Sequence, residues 1–234
     1  MNENEIDASN SEVKTEENTQ ESSELNEILS SEQVRVLGCL MEKHLSTPKN
    51  YPLTPNSLTL AVNQKSNRYP TMSMDEGRVV NTAQQLNELG YLSIDHGERV
   101  VKFSHRAPGK FDVTREGQAV LAMLMLREPL TLNDIKARTE KMIGFESLDE
   151  VEMVVEELMT RSPSLVMSLP VAAGQREQRY THLLAGEPDL SALPVAQNKE
   201  TRGTQLSSQA DKIAELEARI ERLEKVLDLD SPQD

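Results

Sequence analysis

The stretch "NQKSNRYPTMSMDEGRVV", residues 63–80, places Lys65, Ser66, Asn67 and Arg68 ahead of a helix-start signal and Arg78 just inside the helix. Cationic and amide side chains of these types hold phosphate oxygens as point charges or forks and read base edges by paired hydrogen bonds. A second group, Arg99, Lys102, His105, Arg106 and Lys110, lies around or just after the turn signal His96–Gly97. The remaining candidates have bland readings. His44, His96, His105 and His182 have no partner at helical spacing that would build a metal site. Cys39, the single cysteine, stands beside Leu37 and Leu40 in an apolar helix and reads as a buried hydrophobe. Glu76, Asp134, Asp149 and Glu150 fall in helix first turns, where carboxylates complement the helix dipole. There is no GxGxxG, P-loop, GxSxG or HExxH. The expectation is no catalytic residue, no metal, no cofactor and no enzymatic activity.

The elements that must position these residues are legible from caps and periodicity. Ser30 and Gln33 stand at capping-box spacing ahead of Val34, Leu37, Leu40 and Met41. Thr54 and Pro55 start a second helix, Pro being harmless at the first helical position. Ser73 and Glu76 read as the box of a third, with Val79, Val80, Ala83 and Leu86 as its buried stripe and Gly90 as its left-handed cap. Two β-prone runs then flank His96–Gly97. Three helices followed by a hairpin is the winged-helix order. The order recurs: an apolar helix from "VTREGQAVLAMLMLREP", a helix from Thr131, a helix from Ser147, and the strands "SLVMSLPV" and "EQRYTHLL". "SMDE" and "SLDE" stand 74 residues apart, which supports two copies of one unit.

The formal net charge is −14, but it belongs to the ends. Residues 1–29 hold nine acids and one Lys, residues 186–234 eleven acids and six bases, and residues 30–185 nineteen acids and eighteen bases. An acidic chain with a neutral body is compatible with a nucleic-acid partner, because the local field on one face decides. Within the body, the first copy has ten bases against eight acids and the second eight against eleven. Glu152, Glu156 and Glu157 occupy the second copy's third helix, so any DNA contact is expected in the first. No apolar run approaches the roughly 20 residues that span a bilayer, and no signal peptide is visible, so the reading is cytoplasmic with no membrane partner.

The sequence divides into an acidic, disordered arm (1–29), a first winged-helix domain (30–112), a second (113–185), a linker (186–205) and a C-terminal helix (206–229). In that helix Leu206, Ile213, Leu216, Ile220, Leu223 and Leu227 take the a and d positions of a heptad that Gln209 interrupts, which leaves two readings, a solvated amphipathic helix that docks on the body or frays, and coiled-coil self-association as a homodimer. The fold class is mainly α with small β-hairpins.

"PLTPNSLTLAVNQKSNRYP" followed by "MDEGRVVNTAQQLNELGYL" resembles the YceH-like family of uncharacterised bacterial proteins. The likeness covers roughly residues 30–185 and implies a tandem winged-helix fold without implying an activity. Tyr69, directly after "NQKSNR", departs from the small or acidic residue the pattern leads one to expect there.

On a winged-helix template the third helix enters the major groove and the hairpin touches phosphate. The leading expectation is binding of double-stranded DNA, as a transcriptional regulator, through Lys65, Ser66, Asn67, Arg68, Arg78, Asn81, Gln85, Arg99 and Lys102, with Thr82 on the same helix face. Four to six neutralised phosphates would give a log–log salt slope of roughly −4 to −5. The alternative is a protein–protein adaptor that uses the winged-helix surfaces. The DNA reading requires the cations of turn, helix and hairpin to converge on one surface.

Overall fold

Helix α1, Ser31–Ser46, begins where Ser30 and Gln33 satisfy each other's backbone: Gln33 N–H donates to Ser30 Oγ at 3.3 Å and Ser30 N–H to Gln33 Oε1 at 2.8 Å. The computed structural model describes residues 28–189 apart from 98, 128 and 172–174. Side-chain caps start four of the other helices: Thr54 for α2 (Pro55–Val62), Thr114 for α5 (Arg115–Leu126), Thr131 for α6 (Leu132–Thr139) and Ser147 for α7 (Leu148–Thr160). Each cap satisfies an N–H that has no partner within its helix. Helix α3 runs Glu76–Glu88 and corrects the sequence reading. Its cap is Asp75, whose carboxylate accepts the Arg78 N–H at 2.8 Å, and not Ser73. The "SMDE" echo is therefore out of step with "SLDE" by two residues.

Strands β1 (Leu92–His96) and β2 (Val101–His105) form one antiparallel hairpin, and β3 (Val166–Leu169) and β4 (Arg179–His182) another. A second repeat lies in "PLT": Leu53 bridges Phe103 of β2 and Leu130 bridges Tyr180 of β4, each one residue before a capping Thr. Between the halves lies α4, Ala107–Phe111, where the sequence reading had no helix. It buries Phe111 against Tyr91 and lays Lys110 Nζ 5.0 Å from the Tyr91 ring centre.

The result is a mixed α+β fold compatible with winged-helix geometry. The halves share one apolar core in which α1 packs along α5. Every residue of α5 from Gly117 to Leu126 is buried, so this helix is covered on all sides and central, with Gln118 as its one polar side chain there. Gly38 permits the close crossing: a Cβ there would stand 3.1 Å from Leu126 Cδ2 and from Met125 Cβ. Leu29, which the sequence reading assigned to the arm, is 1% exposed and donates its N–H to Leu184 O at 2.8 Å. Residues 1–27 of the arm, most of the linker, and the heptad from Leu206 to Leu227 lie outside the described residues. Among the described residues, no helix is long and apolar enough to cross a membrane.

Candidate functional site

The loop between α2 and α3 is built from its own polar side chains. Asn63 pairs with Met74 like a strand neighbour, accepting the Met74 N–H at 2.8 Å and donating to Met74 O at 2.6 Å. Arg68 has a side chain 0% exposed. It donates to Ala61 O at 3.1 Å, Asn67 O at 2.9 Å, and the two oxygens of Glu42 at 3.3 and 2.6 Å. Arg35, also buried, donates to Val62 O at 3.5 Å and Pro70 O at 2.5 Å. Two arginines thus close the C-terminal end of α2, whose last carbonyls have no helical partner. Tyr69 N–H then ties the loop to Leu126 O at the end of α5, at 2.9 Å. Arg68 is a buried clamp, which removes it from the proposed phosphate contacts.

The other cations have different surroundings. Arg78 meets Glu32 through both ends of its guanidinium, Nε at 2.9 Å and Nη2 at 2.5 Å, while 62% of the side chain stays exposed. Lys102 lies directly across from Asp95, and Ile94↔Phe103 and His96↔Val101 are the flanking pairs. Side chains alternate faces along a strand, so Lys102 points away from the face that carries Ile94, His96, Val101 and Phe103. Thr82 is buried and donates to Arg78 O. Arg106 donates to Ser93 Oγ at 3.3 Å. Lys65, Ser66, Asn67, Asn81, Gln85 and Arg99 are exposed. Asn67 has φ +62°, a left-handed conformation Asn tolerates, and Gln85 Oε1 accepts from Gln33 Nε2 at 3.3 Å. Of the cations the DNA reading invokes, Arg68 is buried, Arg78 is paired with Glu32, and Lys65, Arg99 and Lys102 are exposed.

What α3 and the hairpin do form is a groove of about 490 Å³. Val80, Ile94, Val101, Phe103 and Pro55 make its apolar lining, and Gln84, Asn87, Glu88 and His96 supply its polar groups. The face of the hairpin that lacks Lys102 is the one that lines it. The carboxylate of this groove is that of Glu88.

A third constellation joins the halves. His44 of α1, Tyr51, His105 of β2 and Gln118 of α5 converge, with the two imidazole centres 4.8 Å apart. Gln118 donates to Met41 O at 3.0 Å and its Nε2 lies 3.2 Å from His44 Nδ1 and 3.3 Å from His105 Nε2. His105 Nδ1 accepts the Ala107 N–H at 3.2 Å. Burial lowers the His105 pKa to about 3, with His44 pushing the same way. Among the described residues no three His, Cys, Asp or Glu side chains group as a metal site. Cys39 is buried, donates weakly to Ala61 O, and is held by burial at a pKa of about 11, as suits a core thiol.

The family described as "Protein of unknown function, DUF480" matches residues 29–175. The chain belongs to this family. It is 43% identical over 198 residues to a UPF0502 protein of Geobacter sulfurreducens, covering 84% of this chain and 90% of that one. A UPF0502 protein of Xanthomonas campestris is 42% identical over 197 residues, covering 84% and 86%. One from Cellvibrio japonicus is 38% identical over 208 residues, covering 85% and 95%. The resemblance to a family of uncharacterised bacterial proteins is thereby established. The DUF480 match takes in α1 through β3, and with them the clamped loop, the groove and the histidine junction.

Proposed function

We propose that this chain is a non-enzymatic tandem winged-helix protein that acts as an adaptor, holding an extended protein segment in the groove between α3 and the β1–β2 hairpin. The observation that carries the reading is the chemistry of that groove: an apolar floor beneath two amides and one carboxylate. A segment with an aliphatic side chain buries it on Val80, Ile94 and Val101, at roughly 1.5–3 kcal/mol for full burial. Gln84 and Asn87 each offer a donor and an acceptor to its backbone, and Glu88 favours a neighbouring Lys or Arg. A phosphate backbone in the same place would be repelled by Glu88 and would leave the floor wet. Selection of phage-displayed peptides on the full chain tests this. The expected consensus places an aliphatic residue within two positions of a Lys or Arg. The selected peptide should bind about tenfold or more weakly to the Val101→Asp chain, given the burial it forgoes. A library without enrichment, or peptides indifferent to both Val101→Asp and Glu88→Lys, would overturn the proposal.

Binding of double-stranded DNA keeps one favouring observation, the exposed amides Asn81, Gln84 and Gln85 on α3. With Arg68 buried, Arg78 on Glu32 and Lys102 on the far face, Lys65 and Arg99 are the cations left for phosphate. The salt slope for a labelled duplex should then be near −2, where the sequence implied about −4 to −5. A slope as steep as the latter would restore the DNA reading.

A further inference from the structure

The described chain begins and ends at one corner of the fold. Leu29 N–H donates to Leu184 O at 2.8 Å, and a Cβ on Gly186 would stand 3.5 Å from Ile28 Cδ1. That corner is the start of α1, which is fastened to α3 by Glu32 on Arg78 and by Gln33 on Gln85. Arg78 and Gln85 share one side of α3, and Val80, Gln84 and Asn87, which line the groove, share another. At 3.6 residues per turn the two sides are less than half a turn apart, with the exposed Asn81 between them. About one helix diameter, roughly 10–12 Å, therefore separates the corner from the groove.

Residues 190–234 continue the chain from this corner. The stretch 190–205 reaches at most roughly 50–60 Å when extended, several times what is needed. Residues 206–229 then carry the chemistry the groove selects. Lys212–Ile213, Arg219–Ile220, Arg222–Leu223 and Lys225–Val226 each set a cation beside an aliphatic side chain. The aliphatic member matches the floor of Val80, Ile94 and Val101, and the cation matches Glu88. The N-terminal arm leaves from the same corner but holds a single such pair, Val13–Lys14, with one base among nine acids. Residues 206–229 have four bases to six acids. Position admits both ends of the chain, and chemistry favours the C-terminal one.

We propose that the groove between α3 and the β1–β2 hairpin is occupied in the free protein by residues 206–229 of the same chain, which a partner segment displaces. This rests on the groove reading and adds its regulation. A tether that spans the distance holds its segment at an effective concentration of about millimolar, so even a weak fit fills the groove. A partner then binds with an affinity reduced by the fraction of time the groove is vacant.

Photo-cross-linking in the full chain tests the contact. A benzophenone amino acid in place of His96, which lines the groove, should label residues 206–229. The same group in place of Lys102, on the opposite face of the hairpin, should not. Mixing light and heavy isotope-labelled chains before irradiation separates a contact within one chain from a contact between two. Adducts only between chains, equal labelling from both positions, or no adduct within 206–229 would overturn the proposal. Peptide binding separates this inference from the one beneath it. A peptide selected on the groove should bind about tenfold tighter to the full chain carrying Ile213→Asp, Ile220→Asp, Leu223→Asp and Val226→Asp, as for a parent groove vacant about one-tenth of the time. Equal affinity for both chains keeps the groove as a binding site and overturns its resident. Binding to neither chain overturns the groove and this inference with it.

Discussion

Replacing Arg68 by Met removes a guanidinium whose side chain is wholly buried and whose hydrogen bonds reach three different pieces of the chain: Glu42 in α1, Ala61 in α2 and Asn67 in the loop. Met keeps much of the apolar stem, so the loss is chiefly electrostatic. The Glu42 carboxylate is left with only the partly exposed Lys43 as partner. Breaking one member of a buried pair costs about 3–5 kcal/mol, because the survivor stays desolvated and unpaired. In a chain of this size each kcal/mol lowers the melting temperature by about 2–4 °C, so Arg68→Met should melt roughly 6–20 °C below the parent. Thermal melting and urea titration, followed by circular dichroism, measure the loss. Removing both charges, as Glu42→Leu with Arg68→Met, should recover a large part of it, since replacing both members of a buried pair by apolar groups is often near neutral. Lys65→Ala, three residues away and exposed, sets the baseline at about 0.5 kcal/mol or less. If Arg68→Met costs no more than Lys65→Ala, or if the double variant is no better than Arg68→Met, then Arg68 is not the clamp argued for here. The expectation also bears on function. Loss of nucleic-acid binding in an Arg68 variant would report a collapsed loop and not a missing phosphate contact, so Lys65 and Arg99 are the residues to vary.

Acid should destabilise the fold through two histidines. Burial holds His105 at about 3 and His182 at about 4, below the ordinary value near 6.5. The unfolded chain therefore binds protons that the native one refuses. The stabilisation is complete above about pH 6.5 and is lost as the pH falls towards 3 to 4, with about 2 kcal/mol lost per histidine already at pH 5. Urea titrations at pH 7.5 and pH 5 should show a fall about 4 kcal/mol larger in the parent than in His105→Gln/His182→Gln; equal falls would contradict the shifts. Gly38→Ala gains about 1 kcal/mol of helix propensity but presses a methyl into Met125 Cβ and Leu126, at about 1–3 kcal/mol for overpacking. A net loss of up to about 2 kcal/mol in chemical denaturation is expected, and a gain would show that α1 and α5 can part at little cost.

Features that depend on nearby residues were readable from the chain alone. The caps at Ser30, Thr54, Thr131 and Ser147, the hairpin around His96–Gly97 and the left-handed Gly90 (φ +78°) are chemistry within a few residues, and each stands where residue type placed it. Asp75 stands as the α3 cap where Ser73 was expected, and both are competent capping residues two positions apart. The candidate site was another matter. Arg68 looks like a phosphate ligand until Glu42, 26 residues earlier, is folded against it. Lys102 looks like part of one cationic face until strand register puts Asp95 opposite it and the groove on the other side. Charge along a chain is a sum, whereas a binding surface is a position. Residue types therefore determined which helices and hairpins form, and tertiary packing alone decided which charges were consumed and which were left for a partner.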